Sequence, residues 1–416
     1  MSAATDPLAL AAEFPGVGED DWRALLRGVL RKSGLAEGAD PVEALSTTTY
    51  EGIRIRPLYT SGPAPAGEPG VQPYARGATA DGATAAGWDV RTWHRNPDPS
   101  AGNAAVLNDL ATGATSVWLT VGDAGIAVSD LGALLDGVYL DLAPVALDAG
   151  RQTEDAARAL LALAADRGID AAELCGSFGA DPIGRHARTG DDADLALLGR
   201  LAEIARPHPR LCIASVDASI YHDAGASDAA EIAIATSVGV AYLRALTEAG
   251  LSVDDALAAL EFRLAVSTDQ FTSIAKLRAA RQVWGRVAQL SSAAPDARGQ
   301  RQHAVTSAAM MTRRDPWVNL LRTTIACFAA AVGGADAITV LPFETALGLP
   351  DDFARRIARN THAVLHDESG VGRVVDAAGG SWYVETLTAE LAEKAWDEFT
   401  AIERDGGALT ALDEGR

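Results

Sequence analysis

The densest set of chemically competent side chains lies at residues 217–223, Asp-Ala-Ser-Ile-Tyr-His-Asp, where an imidazole, a phenol and two carboxylates fall close together. A histidine in such a setting can act as a general acid or hydrogen-bond a carbonyl oxygen, which makes His222 and Tyr221 the candidate catalytic pair. The rival reading is a loop histidine with its tip in solvent or satisfied by Asp223. His303 falls inside a β-rich run, where a histidine is more often a satisfied core residue. The acids at 191–194 read as a helix start, and Met310 and Met311 as packing. Cys175, Cys212 and Cys327 are well separated. They form neither a C-x-x-C pair nor a disulfide framework, and no adjacent histidine would activate a thiolate. No H-E-x-x-H, G-x-S-x-G or P-loop motif occurs.

The elements that must hold these residues follow a repeating pattern. β-rich runs at 88–93, 116–121, 137–142, 174–178, 211–216, 263–267, 303–307 and 337–341 alternate with amphipathic or alanine-rich helical stretches. About eight strand–helix units over roughly 250 residues predict an α/β protein with a (β/α)8 TIM-type barrel. An open doubly wound sheet would need a glycine-rich phosphate turn after its first strand, and Gly370-Val371-Gly372 lacks the third glycine and comes too late. Barrel sites lie at the C-terminal ends of strands. That places Trp93 and His94, Gly179 and Asp181, Asp217 with Tyr221 and His222, Ser307, and Glu344 at one mouth.

Flanking segments complete the organisation. Residues 1–87 read as a helix and an extended arm, 88–345 as the barrel, and 346–416 as a helical extension with the start of a linker. Trp22, Leu25, Leu26, Val29 and Leu30 recur at helical spacing behind Glu19-Asp20-Asp21. Residues 47–60 alternate like a short strand, and the Pro/Gly-rich stretch 61–73 cannot be regular structure.

The 416 residues are 48% hydrophobic and 22% charged, and 35 basic against 56 acidic side chains leave a net charge of −21. Such a surface argues against nucleic-acid and anionic-membrane partners. No basic, apolar leader is evident in the first 20 residues. The least polar stretch, 323–335, is too short to span a bilayer. A reducing cytoplasm is the expected location.

Several stretches resemble the cobalamin-dependent methylmalonyl-CoA mutase family. They include Glu51-Gly52-Ile53 with Pro57-Leu58-Tyr59-Thr60, Pro73-Tyr74-Ala75-Arg76-Gly77, and Gly87-Trp88-Asp89-Val90-Arg91. The helix 275–281, Ala-Lys-Leu-Arg-Ala-Ala-Arg, the run 352–361, Glu368-Ser369-Gly370 and Gly380-Ser381 with Tyr383-Val384-Glu385 extend the likeness to about residue 404. The resemblance implies a barrel that binds a CoA ester along its axis, capped in complete chains by a cobalamin domain. It carries over Tyr221 and His222, whose counterpart histidine hydrogen-bonds the thioester carbonyl. Arg91, Asp181 and His303 carry over as substrate-binding candidates.

Departures from the family pattern are as informative. The CoA-facing arginine falls on Ala86, the radical-shielding tyrosine on Trp93, the substrate-binding amide on Gly179, and the carboxylate-gripping arginine on Thr189, near Arg185 and Arg188. The cobalamin signature Asp-x-His-x-x-Gly is absent, since none of the seven histidines has an aspartate two residues before it. The resemblance therefore implies a non-catalytic small subunit of a heterodimer, with Tyr221 and His222 as vestiges of a site. A catalytic large subunit would handle the CoA-ester substrate. Adenosylcobalamin would belong to the holoenzyme rather than to this chain, and no metal is expected. The competing class is a CoA-ester mutase or isomerase of altered specificity. The arm at 50–74 is expected to bind the partner, the alternative being that it wraps its own barrel.

Overall fold

The computed structural model of the protein describes residues 14–34, 38–63, 66–84 and 86–415. Residues 1–13, which hold most of the stretch searched for a leader, lie outside the described residues, as do residues 64 and 65 of the Pro/Gly-rich stretch and Ala85. The chain forms two compact units, Met1–Thr60 and Ser61–Arg416.

In the first unit, helix Glu19–Lys32 has acids in its first turn and Arg31 and Lys32 in its last, both complementing the helix dipole. None of its residues is buried. Asp40 caps the short helix Pro41–Leu45 by accepting from the Val42 amide. The segment expected as one strand folds back on itself instead. β1 (Thr47–Thr48) pairs antiparallel with β2 (Arg54–Ile55), because Gly52 takes a φ of +81° and the Thr49 hydroxyl accepts from Ile53 N at 3.1 Å.

The second unit is the barrel. β3 (Asp89–His94), β4 (Ser116–Thr120), β5 (Val145–Asp148), β6 (Gly176–Ala180), β7 (Leu211–Asp217), β8 (Leu260–Val266), β9 (Gln302–Thr306) and β10 (Ala337–Thr339) close in order, with β10 beside β3. Every pairing between neighbours is parallel. Seven of the expected runs overlap a strand, and 137–142 does not. There Val138 and Leu140 are buried but Tyr139 and Leu142 point outward, and the strand begins only after Pro144. The alternation at 137–142 mimics a half-exposed strand, whereas β5 is buried almost throughout, as parallel strands are.

Helix Gln270–Leu290 organises the outer layer through three buried cations. Lys276 bridges Asp228 and Glu231. Arg278 reaches into the C-terminal extension to meet Asp376, Glu385 and the Thr388 hydroxyl. Arg281 gathers the carbonyls of Tyr74, Ala75, Gly333 and Gly334. Burial lowers the Arg281 pKa to about 10, since the Gln302 amide oxygen is neutral and no carboxylate touches it. This cradle holds Tyr74 in the core, 2% exposed, with its hydroxyl donating to the Pro295 carbonyl. The C-terminal part of the expected partner-binding arm thus packs on its own barrel. Helix Trp382–Arg404 lies against helices Asp228–Glu248 and Gln270–Leu290. Among the described residues, Asp228–Glu248 is long and apolar enough to cross a membrane, but 72% of its most apolar window is buried in the fold.

Candidate functional site

Side chains from successive strands fill the barrel axis in layers. Lowest is Arg91 on β3, 7% exposed, whose guanidinium meets both Glu261 oxygens at 2.9 and 3.0 Å, Asp89 at 3.0 Å and the Ser116 hydroxyl at 3.2 Å. Burial opposes its charge, but the Glu261 and Asp89 carboxylates outweigh that and raise its pKa.

Above it, Arg263 on β8 donates to Asp217 at 2.9 Å and to His303 Nδ1 at 3.2 Å. His303 is fully buried, and burial followed by the charges of Arg91 and Arg263 holds its pKa well below the usual range. It is therefore neutral. Because Nδ1 accepts from Arg263, the proton lies on Nε2, which donates to Thr339 Oγ1 at 2.7 Å.

The next layer is aromatic. Trp118 takes the Arg263 guanidinium over its face at 3.9 Å and stacks on Trp93 with centroids 4.9 Å apart. Trp93 Nε1 donates to Thr120 Oγ1 at 2.8 Å. Ala146, Val305 and Leu341 pack around this pair. Between Arg91 and Trp93 the axis is occupied by the chain's own side chains.

The mouth has a different character on the β5–β7 side. Tyr221 and His222 sit on the short helix Ser219–Asp223 that follows β7. His222 Nε2 lies 2.8 Å from the Ser307 hydroxyl, and its Nδ1 lies 3.4 Å from Glu231, too long for a good hydrogen bond. Glu231 in turn accepts from the Ala265 amide and from Lys276 at 2.6 Å. His222, Asp228 and Glu231 are spaced as three metal ligands could be. The Lys276 ammonium, 2.6 Å from both carboxylates, already supplies the positive charge there. Burial disfavours that charge, but Asp228 and Glu231 outweigh it and keep Lys276 protonated.

Asp181 caps helix Pro182–Thr189, with one oxygen accepting from Tyr242 Oη at 2.6 Å and Gly184 N at 3.1 Å. Burial, and then the nearby Asp217 charge, push its pKa up to about 6. Its other oxygen is buried without a partner, as is the Tyr221 hydroxyl. A cavity of about 230 Å3 opens here, lined by Asp148, Gly179, Asp181, Arg185 and Arg188 among others.

The structure thus brings Tyr221, His222 and Asp181 to one mouth. Arg91 lies a layer below and His303 within the wall, each enclosed by partners. Thr189 is exposed, with its hydroxyl turned back to the Arg185 carbonyl. Arg185 is tied to Asp191 at 2.8 Å, while Arg188 approaches Asp217 at 3.7 Å. Sequence reasoning missed Asp148, because β5 was expected elsewhere, and the Glu231–Lys276 pair. The available signal for that pair was one acid and one base inside otherwise apolar helix faces.

The model of the methylmalonyl-CoA mutase family matches residues 48–416. The chain belongs to that family. A methylmalonyl-CoA mutase small subunit from Streptomyces virginiae is 54% identical over 99% of this chain and 67% of its own length. The small subunit from Propionibacterium freudenreichii subsp. shermanii is 41% identical, over 97% of this chain and 65% of its own. The methylmalonyl-CoA mutase of Escherichia coli is 30% identical, over 93% of this chain and 59% of its own. The chain therefore spans about two thirds of the length of these small subunits. The family is cobalamin-dependent. Each of the seven histidines is engaged by a neighbour within the chain.

Proposed function

We propose that this chain is the non-catalytic small subunit of a cytoplasmic, heterodimeric methylmalonyl-CoA mutase, supporting a catalytic large subunit that binds adenosylcobalamin and the CoA ester. The observation that carries this reading is the filled axis. A CoA ester lying along the barrel would have to displace the Arg91–Glu261 pair and the Trp93–Trp118 stack. Breaking the buried pair costs about 3–5 kcal/mol. The entrance around Arg91 is also lined by Asp89, Glu261, Asp296 and Asp336, which repel phosphates more than Arg91 and Arg301 attract them.

Tyr221 and His222 are then vestiges, kept in place by Ser307 and the Glu231–Lys276 pair. Arg91 and His303 serve the barrel's own electrostatics. The test is turnover of methylmalonyl-CoA by the purified chain with adenosylcobalamin, alone and with a large subunit added. The proposal expects none alone. Turnover by the isolated chain favours the competing reading of a mutase with altered specificity. Residues 50–60, the part of the arm that precedes the barrel unit, are the proposed contact with the large subunit, and deletion of residues 1–60 is expected to abolish co-purification while leaving a folded barrel.

A further inference from the structure

Four polar groups with unmet hydrogen-bonding capacity converge at the ends of three adjacent strands. Asp148 ends β5. Its pKa is raised by burial against the opposing charges of Arg263 and Arg188, and no hydrogen bond contributes. Asp181 follows β6 and has one buried oxygen without a partner. Tyr221 follows β7, is 8% exposed, and its hydroxyl also has no partner. Arg188 stands among them. Asp148, Asp217, Asp181 and Tyr221 all act on its charge, yet its nearest carboxylate, Asp217, is 3.7 Å away and already engaged by Arg263 at 2.9 Å. Asp148, Asp181 and Arg188 line one cavity, and buried polar atoms such as the free Asp181 oxygen are normally paired, so the exception there calls for a ligand.

The chemistry of the three that line the cavity defines that ligand. Two carboxylates want a donor with positive charge, while a guanidinium wants an acceptor with negative charge. The cavity, about 230 Å3, is smaller than a drug-sized site. We infer that the β5–β7 mouth binds a small zwitterion, an amino acid whose ammonium lies between Asp148 and Asp181 and whose carboxylate faces Arg188. Gly179 lines the same cavity. A monocarboxylate alone would leave both acids unpaired, and a simple amine would do the same to the arginine.

The experiment is calorimetric titration of the whole chain with glycine, β-alanine and 4-aminobutyrate, which carry the same two charges at increasing separation. Propionate and ethylamine serve as single-charge controls. The expected result is binding of at least one zwitterion, at least about tenfold tighter than either control. Arg188→Gln and Asp148→Asn should each weaken it by about tenfold or more, a scale set by the loss of one charge-assisted hydrogen bond. A circular dichroism melt verifies that both variants fold. No binding of any of the three at about 10 mM overturns the inference. So does propionate binding as tightly as the best amino acid, or both variants binding like the parent. Turnover is not a readout here, so this outcome and that of the subunit test are separate.

Discussion

The two sides of the barrel solve the same problem in opposite ways. On the β3, β4, β8 and β9 side, charged side chains point inward and each meets its complement, Arg91 with Glu261 and Arg263 with Asp217 and His303, beneath stacked indoles. On the β5–β7 side, Asp148, Asp181 and Arg188 line a cavity, and an Asp181 oxygen and the Tyr221 hydroxyl are left without partners. A buried charge is tolerated when partnered and costs stability when it is not. The first side is therefore invested in the fold, and the second retains the strained electrostatics expected of a site.

The sharpest way to break this contrast is Glu261→Ala, which leaves the buried Arg91 with Asp89 as its one carboxylate partner. Chemical denaturation should register a loss of about 3–5 kcal/mol. A loss under about 1 kcal/mol would mean that the lower layer is not the keystone described. Trp118→Ala, next in size, removes an indole packed by Trp93, Arg263 and His303 and should cost about 3 kcal/mol in the same assay.

On the other side the sign reverses. The Asp181 carboxyl titrates near an ordinary value when unfolded and at about 6 when folded. As pH rises, the unfolded chain loses this proton first, so ionisation favours unfolding and the penalty grows to completion above about pH 6. Asp181→Asn keeps an oxygen for Tyr242 and Gly184 and should raise stability by about 2 kcal/mol at about pH 8, with the gain shrinking toward pH 5. Thermal melts at the two pH values check this, and a uniform gain or any loss would contradict it. Smallest of all, Glu154→Gln removes the exposed pairs with Arg158 and Arg200 and should change stability by less than about 1 kcal/mol.

The architecture was largely legible before the structure. Continuous apolar runs located seven barrel strands, and the position of Asp181 and Tyr221-His222 just after two of them placed them correctly at the mouth. The site's partners were not legible, because they come from far along the chain. Arg91 and Glu261 are 170 residues apart, and His222 meets Ser307 across 85. Asp148 escaped notice for a local reason. A four-residue strand behind a proline carries too little pattern to compete with the alternating segment just before it. Lys276, Arg278 and Arg281 of helix Gln270–Leu290 fall in a stretch that resembles the family, but nothing in their spacing foretold that all three would be buried.

One backbone detail bears on the chemistry of this barrel. At Gly179 the chain takes a φ of +65° and passes so near the Leu147 carbonyl oxygen that a β-carbon would overlap it. The register of β6 against β7 shifts between Ser177 and Ala180, across the same turn. The strand therefore follows a path that admits no side chain here, the amide that the resemblance assigns to this position included. Gly179→Gln alone would force β6 away from the β5 backbone, so the variant would lose stability without gaining a usable amide.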